Sequence, residues 1–168
     1  MATVMSARIN LRPAVPADRD LLFRVYASTR VEELAAVPWT GEQKRAFLLQ
    51  QFDAQSRHWA EQYGEADFRI IEVDGEPAGR FYVHRGAREI RLVDIALLPE
   101  HRGAGIGTEL LRELLEEARS SGRPVTLHVE VFNPARKFYE RLGFHAVEDR
   151  GAYVLMRSSR PEAGGDLS

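Results

Sequence analysis

Apolar and polar residues change their spacing several times along the chain, and each spacing predicts one kind of element. Stretches in which every second residue is apolar are typical of strands with one buried face. Apolar residues three and four positions apart are typical of helices that bury one side. The order predicts one strand, two helices, three strands, a helix, a strand, a short helix and two strands. The predicted strands cover residues 7–12, 67–73, 77–84, 90–98, 125–131, 144–149 and 152–156.

The first two helices are predicted from their ends as well as from their periodicity. Asp18 is placed to cap the first helix, and the apolar stripe of this helix continues to Leu34. Thr40 and Gln43 have the spacing of a capping box and predict the start of a second helix. That helix is expected to end near Tyr63-Gly64, because glycine commonly follows a helix end.

The later elements are separated by turn residues and by one crossover. Asp74-Gly75 lies between two alternating stretches and predicts a two-residue hairpin turn. A long helix separates the strand at Ile95 from the strand at Leu127, so these two strands are expected to be parallel. A short helix is expected from Asn133 or Pro134 through residue 142. The remaining strands are expected to pair mostly antiparallel.

Composition limits the classes of protein to which the chain can belong. Its 168 residues fit one domain, and 44% hydrophobic with 29% charged residues is typical of a globular protein. A net charge of -2 does not favour nucleic acid or an anionic membrane as partner. The absence of cysteine excludes a thiol nucleophile, a disulfide framework and a cysteine zinc site. We see no signal peptide or spanning segment and therefore expect a cytoplasmic protein, with a domain at 1–157 and a loose tail at 158–168.

Three glycines at every second position follow the strand at 90–98 and precede the central helix. Glycine lets the backbone approach a ligand closely, and the first amides of a helix favour anions. Gly103, Gly105 and Gly107 therefore predict an anion site suited to a pyrophosphate, with Arg102 and Thr108 as further donors. No lysine follows Gly107, as a P-loop requires, and the spacing is not that of the dinucleotide fingerprint.

Two strings within residues 92–144 resemble those of a known family. Arg102-Gly103-Ala104-Gly105-Ile106-Gly107 fits the pattern Gln/Arg-x-x-Gly-x-Gly/Ala, and the segment from Asn133 to Phe144 contains a tyrosine and then Leu-Gly-Phe. Both resemble the GNAT superfamily of N-acetyltransferases, which depend on acetyl-CoA. The resemblance implies a single α/β (α+β) domain with a mixed, mostly antiparallel sheet of about seven strands flanked by about four helices.

The resemblance also implies which residues bind acetyl-CoA, the co-substrate, without any metal. Backbone groups of Ile95, Ala96 and Leu97 would hold the pantetheine arm in the manner of an added strand. Asn133 would bond to the pantetheine or to the start of the short helix, and Tyr139 would lie near the thioester sulfur. The pyrophosphate would be held by Arg102, Gly103, Ala104, Gly105, Ile106, Gly107 and Thr108.

An acetyl transfer to an amine needs a proton donor for the leaving thiolate and a route for the proton of the amine. Tyr139 is our candidate acid, although an aromatic residue there also packs a helix against a sheet. His128 is our candidate base, and a packed or solvent-facing histidine is the alternative. Asp94 either pairs with Arg91 or Arg80 or faces the cleft. The other candidates for the base are Asp94, Glu130, Glu32, Glu33 and water.

Three functions remain open. The first is acetyl transfer to the primary amine of a small molecule, with a small cationic amine favoured if Glu32 or Glu33 lines the pocket. The second is acetylation of a protein or peptide amine, and the third is a non-catalytic acyl-CoA-binding regulatory module. A serine hydrolase is disfavoured because the chain has no Gly-x-Ser-x-Gly elbow. A homodimer is possible by analogy with the family.

Overall fold

The structure is a computed structural model that describes residues 8–159. The order of its elements confirms the predicted order, with one additional helix before β2. The strands are Ile9–Pro13 (β1), Asp67–Val73 (β2), Glu76–Arg85 (β3), Ile90–Leu97 (β4), Val125–Glu130 (β5), Phe144–Arg150 (β6) and Tyr153–Ser158 (β7). The helices are Arg19–Ser28 (α1), Val31–Ala35 (α2), Gly41–Gln62 (α3), Ile106–Ser121 (α4) and Ala135–Arg141 (α5), with 3-10 turns at Pro16–Asp18 and Pro99–His101.

The strands form one seven-stranded sheet in the order β1-β2-β3-β4-β5-β7-β6. β4 and β5 are parallel and pair at Ile90–Val125 and Arg91–Thr126, which confirms the predicted crossover through α4. β1 with β2, β5 with β7 and β6 with β7 are antiparallel. The pairing of β6 with β7 contains an irregularity between Ala146 and Glu148.

The chain divides into two compact units. Among the described residues, the N-terminal unit comprises residues 8–82 and Asp94–Ile106, and the C-terminal unit comprises Val83–Val93 and residues 107–159. In the N-terminal unit, three buried aromatic rings of α1 and α3 pack together, with ring centroids 5.6 Å apart for Phe23 and Phe52 and 5.9 Å apart for Tyr26 and Phe52. Four residues of α4 in the C-terminal unit are buried at helical spacing: Leu110, Leu111, Leu114 and Ala118.

The turn and cap predicted between α2 and β3 are confirmed. Thr40 Oγ1 accepts from the Gln43 N–H at 3.1 Å, and Gln43 Oε1 accepts from the Thr40 N–H at 2.9 Å. These two bonds are the capping box that starts α3. Asp74 and Gly75 have φ values of 52° and 83°, the left-handed conformation that a tight two-residue hairpin requires.

The predicted length of the first helix is wrong, because α1 ends at Ser28 and does not continue to Leu34. Two side-chain hydroxyls bind carbonyls of its last turn. Ser28 Oγ donates to the Val25 carbonyl at 2.7 Å, and Thr29 Oγ1 donates to the Tyr26 carbonyl at 2.6 Å. These bonds satisfy carbonyls of the last turn that a longer helix would pair with later amides. The chain therefore breaks after α1, and the apolar stripe reaches Leu34 only in the separate helix α2.

Asp18 precedes α1 as predicted, but its side chain does not cap that helix. One carboxylate oxygen accepts from the Val15 N–H at 2.8 Å, and both oxygens accept from Arg12 at 2.9 Å. The guanidinium of Arg12 lowers the pKa of this buried carboxyl. Asp18 thus joins β1 to the 3-10 turn instead of capping α1.

The boundaries at two other elements also differ from the prediction. Ser158, assigned to the tail by composition, ends β7 and is buried, and its hydroxyl accepts from the Val125 N–H at 2.8 Å. α4 begins at Ile106, two residues before the predicted Thr108. Residue 7 of the predicted first strand and residues 160–168 of the predicted tail lie outside the described residues.

Candidate functional site

The end of β4 is held against β3 by a close approach of their backbones in the N-terminal unit. A Cβ built on Gly79 would lie 2.1 Å from the Ala96 carbonyl oxygen, so only glycine fits there. Two residues further on, the Leu98 N–H donates to the Ala78 carbonyl at 2.8 Å. Ile95, Ala96 and Leu97 are half-buried along this segment. The backbone that we expect to contact the pantetheine is therefore fixed in place by β3.

The loop after β4 leads directly into the first turn of α4. Gly103 and Gly105 have φ values of 78° and 81°, which an L side chain rarely adopts. A Cβ built on either glycine meets no atom within 4 Å, so both lie beside open space. Both glycines and Ala104 are exposed, Ile106 is buried, and Gly107 and Thr108 are half-buried in the first turn of the helix.

Arg102 joins the end of β4 to the end of α1. Its Nε donates to the Leu97 carbonyl at 2.9 Å, and its Nη2 donates to Ser28 Oγ at 3.0 Å. The side chain of Arg102 is exposed, and both of its partners belong to the same N-terminal unit. Arg102 thereby stabilises the path of the backbone into the glycine loop.

Asp94 pairs with Arg80, which was one of the two partners expected for it. Arg80 Nε donates to Asp94 Oδ2 at 2.6 Å, and Arg80 Nη2 donates to Gln55 Oε1 at 3.3 Å. The guanidinium of Arg80 lies over the rings of Trp59 and Tyr82, at 4.9 and 5.6 Å from their centroids. The Arg80 side chain is 4% exposed and that of Asp94 is 27% exposed. The carboxylate is thus the more accessible end of this ion pair.

Tyr82 belongs to the same cluster, and its phenol stays protonated at neutral pH. Burial raises the pKa of its phenol to about 12, in spite of the nearby charge of Arg80. Its ring also packs edge-on against Phe68, with centroids 4.8 Å apart. Tyr82 therefore supports the position of Arg80.

Asn133 and Tyr139 lie at the start and in the middle of the α5 segment of the C-terminal unit. Asn133 Oδ1 accepts from the Ala135 N–H at 2.9 Å, which is the bond to the helix start that we expected as one alternative. The half-buried ring of Tyr139 packs against Phe138 and Phe144, at centroid distances of 5.5 and 5.8 Å. These contacts hold the ring in place. They are consistent with Tyr139 as a packing residue and also with Tyr139 as the acid.

His128 lies between two arginines of the C-terminal unit. Arg91 Nη1 is 3.2 Å from the imidazole Nδ1, and Arg150 Nη1 is 2.8 Å from Nε2. Partial burial, with the charges of Arg91 and Arg150, lowers the pKa of His128 below its usual 6.5, although Glu89 and Glu148 oppose this. His128 is therefore neutral at pH 7.

The predicted residues divide between the two units. The N-terminal unit contains the segment from Ile95 to Ile106 and also Asp94, Glu32 and Glu33. The C-terminal unit contains the other predicted residues: Gly107, Thr108, His128, Glu130, Asn133 and Tyr139. Glu32 and Glu33 are exposed on α2, and Glu130 is half-buried at the end of β5.

Sequence reasoning missed Gly79 and Arg150, and it left Arg80 as one of two possible partners of Asp94. Gly79 lies inside a strand, which is a known sign of a close backbone approach. Arg80 is a charged residue within the buried run of β3, and a buried charge needs a partner. No local signal connects Arg150 to His128, because the contact depends on strand pairing.

Within residues 8–159, no three acidic, histidine or cysteine side chains are grouped so that they could hold a metal ion. No helix in that range has both the length and the apolar character needed to cross a bilayer.

Residues 28–144 match the family described as Acetyltransferase (GNAT) family. The chain belongs to the GNAT family. The match begins in α1 and so extends over α2 and α3, where we had found no string of the family. It ends at Phe144, where the Asn133–Phe144 string also ends.

Known GNAT proteins resemble this chain in sequence and in structure. An uncharacterised N-acetyltransferase of Methanocaldococcus jannaschii is 35% identical over 99 residues, which are 54% of this chain and 44% of that protein. The ribosomal protein bS18-alanine N-acetyltransferase of Haemophilus influenzae is 38% identical over 66 residues, which are 39% of this chain and 45% of that protein. The chain thus spans about half the length of these curated relatives.

A solved structure confirms the GNAT fold. The crystal structure of the PaiA N-acetyltransferase from Thermoplasma acidophilum, in complex with coenzyme A, has a TM-score of 0.68 to this chain. The similarity covers 90% of this chain and 98% of that chain at 19% sequence identity. At this identity the likeness concerns the fold, a single GNAT-like domain with a seven-stranded, mostly antiparallel sheet.

Proposed function

We propose that this GNAT protein transfers the acetyl group of acetyl-CoA to a primary amine by direct attack in a ternary complex. The observation that supports this proposal is the loop at the start of α4. Gly103 and Gly105 adopt positive φ and lie beside open space, next to the first amides of a 16-residue helix. Such amides carry the positive end of the helix dipole and suit a pyrophosphate.

The coenzyme is proposed to contact three parts of the chain. Backbone groups of Ile95–Leu97 bind the pantetheine arm, and the close approach of Gly79 to Ala96 keeps this segment from moving. The loop from Arg102 to Thr108 binds the pyrophosphate. Asn133 contributes its side-chain amide nitrogen, since its oxygen already accepts from the Ala135 N–H. No residue in this set requires a metal.

The chemistry requires one bond to form and one to break. The neutral amine attacks the thioester carbonyl carbon, and amides at the end of β4 polarise the carbonyl oxygen as negative charge develops. The C–S bond then breaks, and we propose that the Tyr139 hydroxyl donates its proton to the leaving thiolate. The amine loses one proton to a base. Holding both reactants in line supplies most of the acceleration.

We choose the base that takes the proton of the amine by comparing the surroundings of each candidate residue. Asp94 is already engaged by Arg80, whose Nε donates to it at 2.6 Å. Glu32 and Glu33 are exposed on α2. His128 is neutral at pH 7 and accepts a proton more weakly than an ordinary histidine. We keep His128 as the proposed base, with Glu130 and water as the alternatives.

A base role for His128 predicts a particular dependence of activity on pH. Because its pKa is lowered, the imidazole becomes protonated, and is lost as a base, at lower pH than an ordinary histidine. The ratio of kcat/KM between wild type and His128→Gln cancels the ionisation of the acceptor amine. We expect this ratio to be about 100 at neutral pH and above, and to fall at acidic pH as the imidazole is protonated. A ratio near one at every pH would reject His128 as the base.

The acceptor is proposed only as a primary amine, on a small molecule or at a peptide terminus. The name of the Haemophilus influenzae relative specifies an alanine of a ribosomal protein, which favours testing peptide amines. A small cationic amine was favoured on the condition that Glu32 or Glu33 lines the acceptor pocket. Both side chains are exposed on α2, so this acceptor stays a prediction. A non-catalytic coenzyme-binding module is the alternative, and it would bind acetyl-CoA without acetylating any amine.

Calorimetric titration of the purified protein with acetyl-CoA tests the proposal first. We expect a dissociation constant in the micromolar range, about -8 kcal/mol, and no binding of ATP under the same conditions. Amines are then screened by release of free thiol from acetyl-CoA. Absence of binding to both acetyl-CoA and free CoA would contradict the proposal. Binding with no transfer to amines or peptides would leave the regulatory module as the function.

A further inference from the structure

Arg102 carries a positive charge that its own partners do not neutralise. Its Nε donates to the Leu97 carbonyl at 2.9 Å and its Nη2 donates to Ser28 Oγ at 3.0 Å, so both partners are uncharged. Among residues 8–159, no carboxylate forms an ion pair with Arg102, and its side chain is exposed. A guanidinium that is held by neutral groups keeps its full charge for an anionic ligand.

The bonds of Arg102 leave one nitrogen of its guanidinium unused. A guanidinium has five N–H groups in a planar fork, and the two bonds use one on Nε and one on Nη2. Neither N–H of Nη1 has a partner within the described part of the chain. Phosphate oxygens accept from such groups through charge-assisted hydrogen bonds. Nη1 is therefore the part of Arg102 that is open to a ligand.

Ser28 accepts from Arg102 because its own proton is already used. Its Oγ donates to the Val25 carbonyl at 2.7 Å, within the last turn of α1. A hydroxyl has a single proton, so the Ser28 oxygen meets Arg102 as an acceptor. Ser28 is half-buried. The guanidinium is thus held from α1 by Ser28 and from β4 by the Leu97 carbonyl.

The residues that follow Arg102 leave room beside them. Gly103 and Gly105 each have a positive φ, and a Cβ built on either would meet no atom within 4 Å. All four residues from Arg102 to Gly105 are exposed. A charged group with unused donors therefore adjoins a loop with open space, and it lies in the same N-terminal unit as both of its partners.

From these contacts we infer that Ser28 is a positioning residue for the binding of acetyl-CoA. It holds Arg102 so that Nη1 donates to the pyrophosphate, although Ser28 itself does not touch the coenzyme. Fixing a flexible arginine in advance removes part of the ordering cost of binding. This role rests on the proposed function, because it needs the coenzyme in the glycine loop. It adds the end of α1 to the elements that determine affinity for the coenzyme.

Ser28→Ala tests this role by removing the oxygen that accepts from Arg102. The guanidinium then loses its contact with α1 and samples more conformations. We expect the dissociation constant for acetyl-CoA, measured by calorimetry, to rise about tenfold. Wild-type affinity in Ser28→Ala would overturn the inference.

Thr29→Val is the matched control for this substitution. Thr29 Oγ1 donates to the Tyr26 carbonyl at 2.6 Å, as Ser28 Oγ does to Val25, but no bond in the described range joins Thr29 to Arg102. Each variant thus loses one hydroxyl at the end of α1, and the thermal midpoint reports the effect on stability. We expect Thr29→Val to bind acetyl-CoA as the wild type does. An equal loss of affinity in both variants would assign the effect to the helix end and overturn the role of Ser28.

A double-mutant cycle tests whether Ser28 acts through Arg102. In Arg102→Met the guanidinium is absent. Adding Ser28→Ala to that variant is therefore expected to change the affinity for acetyl-CoA by less than about twofold. Additive losses in the double variant would mean that Ser28 acts by another route, and they would overturn the inference.

Ionic strength tests whether Arg102 meets the charge of the coenzyme. Salt weakens a contact between charges, so the difference in affinity between the wild type and Ser28→Ala is expected to shrink at high ionic strength. A difference that is the same at low and high ionic strength would assign the effect to the backbone path at Leu97. That result would overturn the contact with the pyrophosphate.

Titration of the wild type separates this role from the proposed function. If the wild type does not bind acetyl-CoA, the proposed function fails and the role of Ser28 fails with it. If the wild type binds acetyl-CoA and Ser28→Ala binds it equally well, only the role of Ser28 fails.

Discussion

Replacing Gly105 with glutamate is expected to abolish the binding of acetyl-CoA. Gly105 has a φ of 81° and adjoins the first turn of α4, and it lies beside open space. The new side chain would fill that space and place a carboxylate where we propose that the pyrophosphate binds. Two like charges within a few ångströms repel strongly, and the strained backbone adds a further cost. We expect the dissociation constant, measured calorimetrically, to rise at least about 100-fold.

Gly122→Glu is a matched control for this substitution. Gly122 has a φ of 69°, lies beside open space and follows the C-terminal end of α4. The new carboxylate and the backbone strain are the same, but the position is about 24 Å away along the helix. Gly105→Ala separates strain from charge and should weaken binding far less than glutamate does. Retention of wild-type affinity by Gly105→Glu would refute our placement of the coenzyme.

Features that depend on neighbouring residues could be predicted from the sequence. The Thr40–Gln43 capping box and the Asp74-Gly75 turn involve chemistry within four residues, and the structure confirms both. The parallel pairing of β4 with β5 followed from the length of the connection. In the candidate site, the start of α4 was predicted to within two residues, because the glycine loop and the helix start are also defined by neighbouring residues.

Features that depend on strand register or on competing partners could not be predicted. The apolar stripe predicted a helix that continues to Leu34. It could not predict that the hydroxyls of Ser28 and Thr29 would bind carbonyls of the last turn, where α1 ends. Hydrophobic alternation places His128 on a face of β5. It does not say that Arg91 and Arg150 will lie on either side of the imidazole, because that requires the register of four strands. The partner of Asp94 was similarly left between two arginines until β3 and β4 were placed.

The acid role that we propose for Tyr139 depends on one atom, its hydroxyl oxygen, and Tyr139→Phe removes only that group. The ring packs between Phe138 and Phe144, so phenylalanine preserves the packing and the fold. We expect the thermal midpoint and the affinity for acetyl-CoA to stay close to those of the wild type. We expect kcat to fall about 100-fold, because the thiolate would leave without its proton donor. Steady-state kinetics with an accepted amine, at saturating acetyl-CoA, measure this loss.

The dependence of the Tyr139→Phe defect on the leaving group distinguishes an acid from a packing residue. A thiol of lower pKa leaves without help from a proton, so an acetyl thioester of such a thiol should narrow the difference between variant and wild type. A defect caused by altered packing would persist with every donor. Tyr153→Phe is the matched control, because this half-exposed tyrosine loses the same hydroxyl on β7. An unchanged kcat in Tyr139→Phe would remove Tyr139 as the acid and leave water to protonate the thiolate.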